Sequence, residues 1–177
     1  MKNTKKLTVS AITVALGVVF MLLGAVYEPL DLTVSCLASV LVAFIYIEVG
    51  SPYTYLVWLC TTLITALIFP LGTAWVSYFL VFGIYPVIKG YIEKLKRPAW
   101  LPLKMLFASV TMTSLFLFTT FVMGIESETF FGLSVEISLL ILGAIAVLCF
   151  LLYDRFLTAC VRVYHLKIRP KLKNLLK

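Results

Sequence analysis

The chain has 177 residues, 62% of them hydrophobic and 13% charged, with a mean hydropathy of +1.08. A soluble domain is about half apolar and a quarter charged, so this composition excludes one and sets a single-domain integral membrane protein, without room for a soluble domain beside its helices. The net charge of +7 does not point to nucleic acid, because the basic residues border apolar runs, where they act as topology signals and as contacts to anionic membrane lipid.

The first six residues carry Lys2, Lys5 and Lys6. The apolar run at 7–27 then reaches the roughly 20 residues a bilayer span needs. It reads as an uncleaved first helix rather than a signal peptide, with its N-terminus in the cytoplasm. Glu28, Pro29 and Asp31 break the run with no lysine or arginine nearby, which sets that loop outside. A short second helix is expected at 32–47, with Glu48, Gly50, Ser51 and Pro52 forming an inner turn. A third at 53–69 ends in Pro70–Leu71–Gly72, where proline fixes φ and glycine permits a tight outer turn.

The fourth helix, 74–92, runs into a basic inner loop. Pro86 lacks an N–H and leaves the carbonyl of Phe82 without its helical donor, so Gly83 and Pro86 mark a kink. The kink serves either as a hinge or as ordinary packing, since membrane helices tolerate proline. Lys89, one turn further on, is expected to snorkel to the inner interface. Glu48 is expected either to pair with a basic residue there or to be solvated. A fifth helix is expected at 104–123, an outer loop with Glu126 and Glu128 at 124–134, and a sixth helix at 135–153. The basic tail 154–177 is expected on the inner side.

All fifteen lysines and arginines then fall at or near inner ends. The outer ends hold Glu28, Asp31, Glu126, Glu128 and Glu136. This asymmetry is the positive-inside pattern. The expected fold is an all-α membrane protein of six transmembrane helices, both termini cytoplasmic, in a bacterial plasma membrane. The basic loop divides it into halves of three helices, an arrangement that would invert any repeat, although no sequence repeat is visible.

The chemistry-bearing motifs are sparse. Cys36, Cys60, Cys149 and Cys160 form no C-x-x-C pair, which argues against a disulfide framework or zinc site. His165 is the sole histidine, so no metal is expected. There is no G-x-x-x-x-G-K-[ST] phosphate loop, no H-E-x-x-H and no G-x-S-x-G. The sequence therefore points away from an enzyme and from a bound cofactor. With no ionisable residue read at mid-membrane, a stand-alone ion-coupled permease is disfavoured too.

The first helix carries two sets of small residues. At 100° per residue Ser10, Thr13, Gly17 and Gly24 share one face. Ala11 and Ala15 lie about a quarter to a third of a turn away. Small residues let helices approach closely in lipid, so one face suits packing within the bundle. The other either packs internally as well or meets another protein.

A basic start, Ala11-x-x-x-Ala15 near the inner end of helix one, six helices and fewer than 200 residues together resemble the S components of energy-coupling-factor (ECF) vitamin transporters. The resemblance implies that the alanine face docks onto a transmembrane coupling subunit driven by cytoplasmic ATPase subunits. It also implies that a small organic solute or vitamin is bound near the outer surface. The outer candidates for contact with such a small-molecule ligand are Tyr27, Glu28, Asp31, Trp75, Tyr78, Glu126, Glu128 and Glu136. Aromatic faces with carboxylates suit a cationic or amine-bearing molecule. The same residues also fit ordinary roles, aromatics at the interface and a carboxylate at a helix start. The alternative function is a non-transporting integral membrane scaffold or assembly partner.

Overall fold

The computed structural model describes residues 3–70, 72–121 and 135–170, with the side chains of Glu28, Thr119, 135–140 and Ile168 left aside. These residues are all-helical. Six helices are long and apolar enough to cross a membrane. Two of these spans have 18 residues. At 1.5 Å per residue that is about 27 Å, slightly short of a hydrocarbon core of about 30 Å but within the roughly 17–25 residues that membrane spans use.

Helix α1, Asn3–Val26, buries Ser10, Thr13, Gly17, Met21 and Gly24. Their spacing of three and four residues is the helical repeat. The hydroxyls of Ser10 and Thr13 donate to the carbonyls of Lys6 and Val9 at 2.9 and 2.8 Å. Each polar group is thus satisfied within its own helix and can sit in a seam. A Cβ at Gly24 would stand 2.4 Å from Val34 Cγ2 and 3.2 Å from the Asp31 Cα. One at Gly17 would meet Thr61 at 3.2 Å. The glycines therefore set how closely α1 approaches α2 (Asp31–Glu48) and α3 (Ser51–Ile68).

A 3-10 turn, Glu28–Leu30, joins α1 to α2. At the other end Gly50, with φ of 104°, makes the connection to α3, a conformation only glycine adopts without strain. Pro52 follows in the first turn of α3, where its missing N–H costs nothing. Helix α3 turns a threonine stripe inward. Thr54, Thr62 and Thr65 donate to carbonyls four residues back at 2.8–3.0 Å.

The fourth span is broken. It consists of α4 (Ala74–Ser77), a wide π turn at Tyr78–Phe82, a bend at Gly83 and Ile84, and α5 (Tyr85–Ile92). The Gly83 N–H donates to the Tyr78 carbonyl at 2.7 Å, five residues back. That shift removes the α-helical donor of the Phe79 carbonyl, and the Trp58 indole N–H supplies another at 3.2 Å. Trp58 also stacks on Phe79 at 4.9 Å. The Phe82 carbonyl, deprived by Pro86, accepts from the Tyr153 hydroxyl at 3.1 Å. Both orphaned acceptors thus find donors on neighbouring spans.

Helix α6, Trp100–Phe121, begins four residues earlier than expected, because Pro98 and Pro102 fit a preceding turn and a first helical turn. Helix α7, Val135–Val163, continues through a π turn at Tyr164–Ile168. This corrects the expected end at residue 153. Asp154 and Arg155 look like a helix exit, yet Asp154 lies inside the helix because two lysines neutralise it.

The core gathers around the broken span. Tyr85 packs on Phe107, Phe150 and Tyr153 with ring centroids 5.3, 4.9 and 5.4 Å away. The outward faces stay apolar, with Leu16, Leu63, Leu106 and Leu152 all exposed, as a lipid-facing surface requires.

Candidate functional site

The most concentrated chemistry lies at the basic end of the bundle, where α5, α6 and α7 meet. Asp154 projects from α7 between two lysines. Lys104 Nζ, from α6, lies 2.8 Å from Asp154 Oδ2 and 3.0 Å from Oδ1. Lys89 Nζ, from α5, bonds Asp154 Oδ1. It also bonds the Asp154 carbonyl at 2.9 Å and Thr158 Oγ1 at 2.6 Å. The Tyr85 hydroxyl donates to Asp154 Oδ1 at 2.6 Å. Glu93 Oε1 stands 3.6 Å from both ammonium groups. The side chains of Lys89, Lys104 and Asp154 are 7%, 10% and 14% exposed.

Two lysines against Asp154 and Glu93 sum to zero, so the charges can be withdrawn from water together. Burying any one alone would be strongly unfavourable, and an opposite charge with full hydrogen bonding offsets that cost. Lys89 therefore does not snorkel outward but turns into the bundle. At the same end the Arg169 guanidinium pairs with Glu48 at 3.0 Å. Cavities flank the cluster on two sides. One of about 540 Å³ touches Arg97, Trp100, Lys104, Asp154 and Arg155. The other, about 180 Å³, touches Tyr46, Lys89, Glu93 and Thr158.

The expected ligand residues are dispersed at the opposite end. Asp31 Oδ2 accepts from Thr73 Oγ1 at 2.9 Å, tying the start of α2 to the residue before α4. The Trp75 indole donates to the Pro70 carbonyl at 3.2 Å and meets Phe118 edge-on at 5.7 Å. Tyr27 is 59% exposed. Tyr78 is 1% exposed and belongs to the core beside the π turn, not to an end surface. Glu28 lies in the 3-10 turn and Glu136 in the first turn of α7. Glu126 and Glu128 lie outside the described residues. So the structure joins Asp31 and Thr73 near Trp75, and separates Tyr78 from them.

Ala11 and Ala15 are both exposed on α1, while the Ser10, Thr13 and Gly17 face is buried. Gly83 and Pro86 lie at the interruption of the fourth span. All four cysteines are free. Among the described residues no cluster of histidine, cysteine and carboxylate side chains has a geometry that would hold a metal.

The lysine–aspartate cluster escaped the sequence reading. Its one local signal is Asp154 flanked by Phe150, Tyr153, Leu157 and Val161 at helical spacing, the pattern of a helix that has not ended. The chain matches no protein-family model, no curated protein and no solved structure.

Proposed function

We propose that this protein is the substrate-capture subunit of a transporter of the ECF type, a binding and docking protein rather than an enzyme. In this reading it lies in a bacterial plasma membrane with its basic end, its termini and the 93–99 loop cytoplasmic, as the positive-inside rule requires. It takes a small organic solute or vitamin at the outer end. It docks through α1 onto a transmembrane coupling subunit that cytoplasmic ATPase subunits drive.

The observation that carries the proposal is the division of α1 into two small-residue faces. One is consumed by α2 and α3, and the other, at Ala11 and Ala15, remains open to lipid. In a bilayer, helices associate through close backbone approach rather than through hydrophobic burial. An alanine pair one turn apart gives a second helix that approach.

The direct test is affinity purification of the tagged protein from its native membrane. Wild type is expected to bring ATPase and coupling subunits with it. Ala11→Trp with Ala15→Trp should abolish that association and solute uptake without changing the melting temperature, because both positions are exposed. Retained association and uptake in the double variant would refute the docking face.

A second reading, a non-transporting scaffold, draws support from the outer end, where Asp31 and Trp75 are already engaged within the chain. Thermal-shift screening against vitamins, amines and nucleobases separates the two. Stabilisation by one compound supports capture, and stabilisation by none supports the scaffold.

A further inference from the structure

A groove runs along the lipid-facing junction of α6 and α7. It starts at the basic cavity of about 540 Å³, whose wall includes Arg97, Trp100, Arg155 and Leu152. Through the shared Leu148 and Leu151 it continues into a crevice of about 670 Å³ beside Ala108, Met112 and Gly143. Through Met112, Thr113 and Gly143 it passes into a third cavity, about 380 Å³, reaching Leu115, Phe116 and Leu142. A Cβ at Gly143 would have nothing within 4 Å, so the two helices do not close there.

The groove has two chemically distinct parts. At its mouth Lys104 is matched by Asp154, which leaves Arg97 and Arg155. Neither of these has a carboxylate partner among the described residues, and both are exposed. The Trp100 indole, anchored at 2.9 Å to the Leu95 carbonyl, lies beside them at the level tryptophan favours, the headgroup boundary. Beyond the mouth the wall is mostly apolar, with Ser109 and Thr113 contributing hydroxyls among leucine, methionine, alanine, valine, phenylalanine and glycine. From Lys104 to Phe116 the groove follows α6 for roughly 18 Å at 1.5 Å per residue. Half of a hydrocarbon core of about 30 Å is about 15 Å, the depth one leaflet's acyl chain occupies.

We propose that this groove is a binding site for one anionic phospholipid, its phosphate held by Arg97 and Arg155 and one acyl chain lying along Leu148, Leu151, Met112 and Gly143. Guanidinium groups suit the phosphate because each offers two parallel N–H donors to it. The pairing of Lys104 with Asp154 keeps the mouth from binding through a third cation and places selectivity on the two arginines. The proposal is independent of the capture reading and of which side of the membrane the basic end faces.

The test uses the full chain reconstituted in bilayer discs of phosphatidylcholine with a small fraction of phosphatidylglycerol carrying a photoreactive acyl chain. Wild type should cross-link near Met112 and Gly143, with roughly tenfold less labelling when the same chain is carried by phosphatidylcholine. Arg97→Gln with Arg155→Gln should erase the headgroup preference. Gly143→Trp should reduce labelling by both lipids. Should Gly143→Trp unfold, as seen by its melting curve, the arginine pair on the surface still decides. Millimolar inorganic phosphate should leave labelling unchanged, and displacement by it would overturn the lipid in favour of a free phosphate. Equal labelling by the two headgroups in wild type, a preference kept by the arginine variant, or cross-links confined to other helices would each overturn the proposal. So would a partner protein that occupies the groove in the purified complex and excludes the lipid.

Discussion

Asp154 holds together residues that lie far apart in the chain. Lys89 is 65 positions before it and Lys104 is 50 positions before it, and no local pattern announces either pairing. A carboxylate between two ammonium groups looks like a strong attraction. Its net contribution is far smaller, because three side chains lost their hydration to form it. The asymmetry lies in removal. Asp154→Leu would leave two buried lysines facing only the half-exposed Glu93. We expect a loss of about 3 kcal/mol, read as a fall in denaturation midpoint of the detergent-solubilised protein. Adding Lys104→Met to that variant should recover part of the loss, since Lys89 and Glu93 then balance. If the double variant is less stable than Asp154→Leu alone, the account of the cluster as a charge-balanced clamp is wrong.

At the scale of the helix, the fourth span is the element on which the others are arranged. Its π turn and proline free two carbonyls, and these accept from Trp58 on α3 and Tyr153 on α7. The break is therefore fixed by its neighbours rather than loose. Tyr153→Phe keeps the ring packing on Phe82 and Tyr85 but strips the Phe82 carbonyl of that donor. The expected cost is about 1 kcal/mol, with faster amide hydrogen exchange confined to residues near the bend. Unchanged stability and exchange would show that the hydroxyl contributes nothing there. The kink itself was legible, because proline lacks an N–H wherever it stands. The two faces of α1 were legible too, since the 3.6-residue period alone sorts Gly17 from Ala15. The continuation of α7 past Asp154 had one local signal, the helical spacing of Phe150, Tyr153, Leu157 and Val161, against the charges of Asp154 and Arg155. A charged pair beside apolar sequence reads as an exit to water unless its distant partners are known. Residue type and position at a helix end alone place Tyr78 beside Trp75. Tyr78 lies three residues, about 4.5 Å, further along the span than Trp75, and it packs in the core instead.

For the whole molecule, the described residues form a bundle whose cationic side chains gather at one end and whose flanks are apolar. The bilayer explains both features, because translocating lysine or arginine is unfavourable and lipid tails accept only apolar surface. Solute capture and docking both depend on which side of the membrane the basic end faces. With Cys36, Cys60, Cys149 and Cys160 replaced by alanine, single cysteines at Gly72→Cys and Lys94→Cys report the two ends. A membrane-impermeant maleimide applied to intact cells should label Gly72→Cys, and should reach Lys94→Cys only after the cells are permeabilised. Labelling of Lys94→Cys in intact cells, with Gly72→Cys protected, would contradict the orientation and the proposed function built on it.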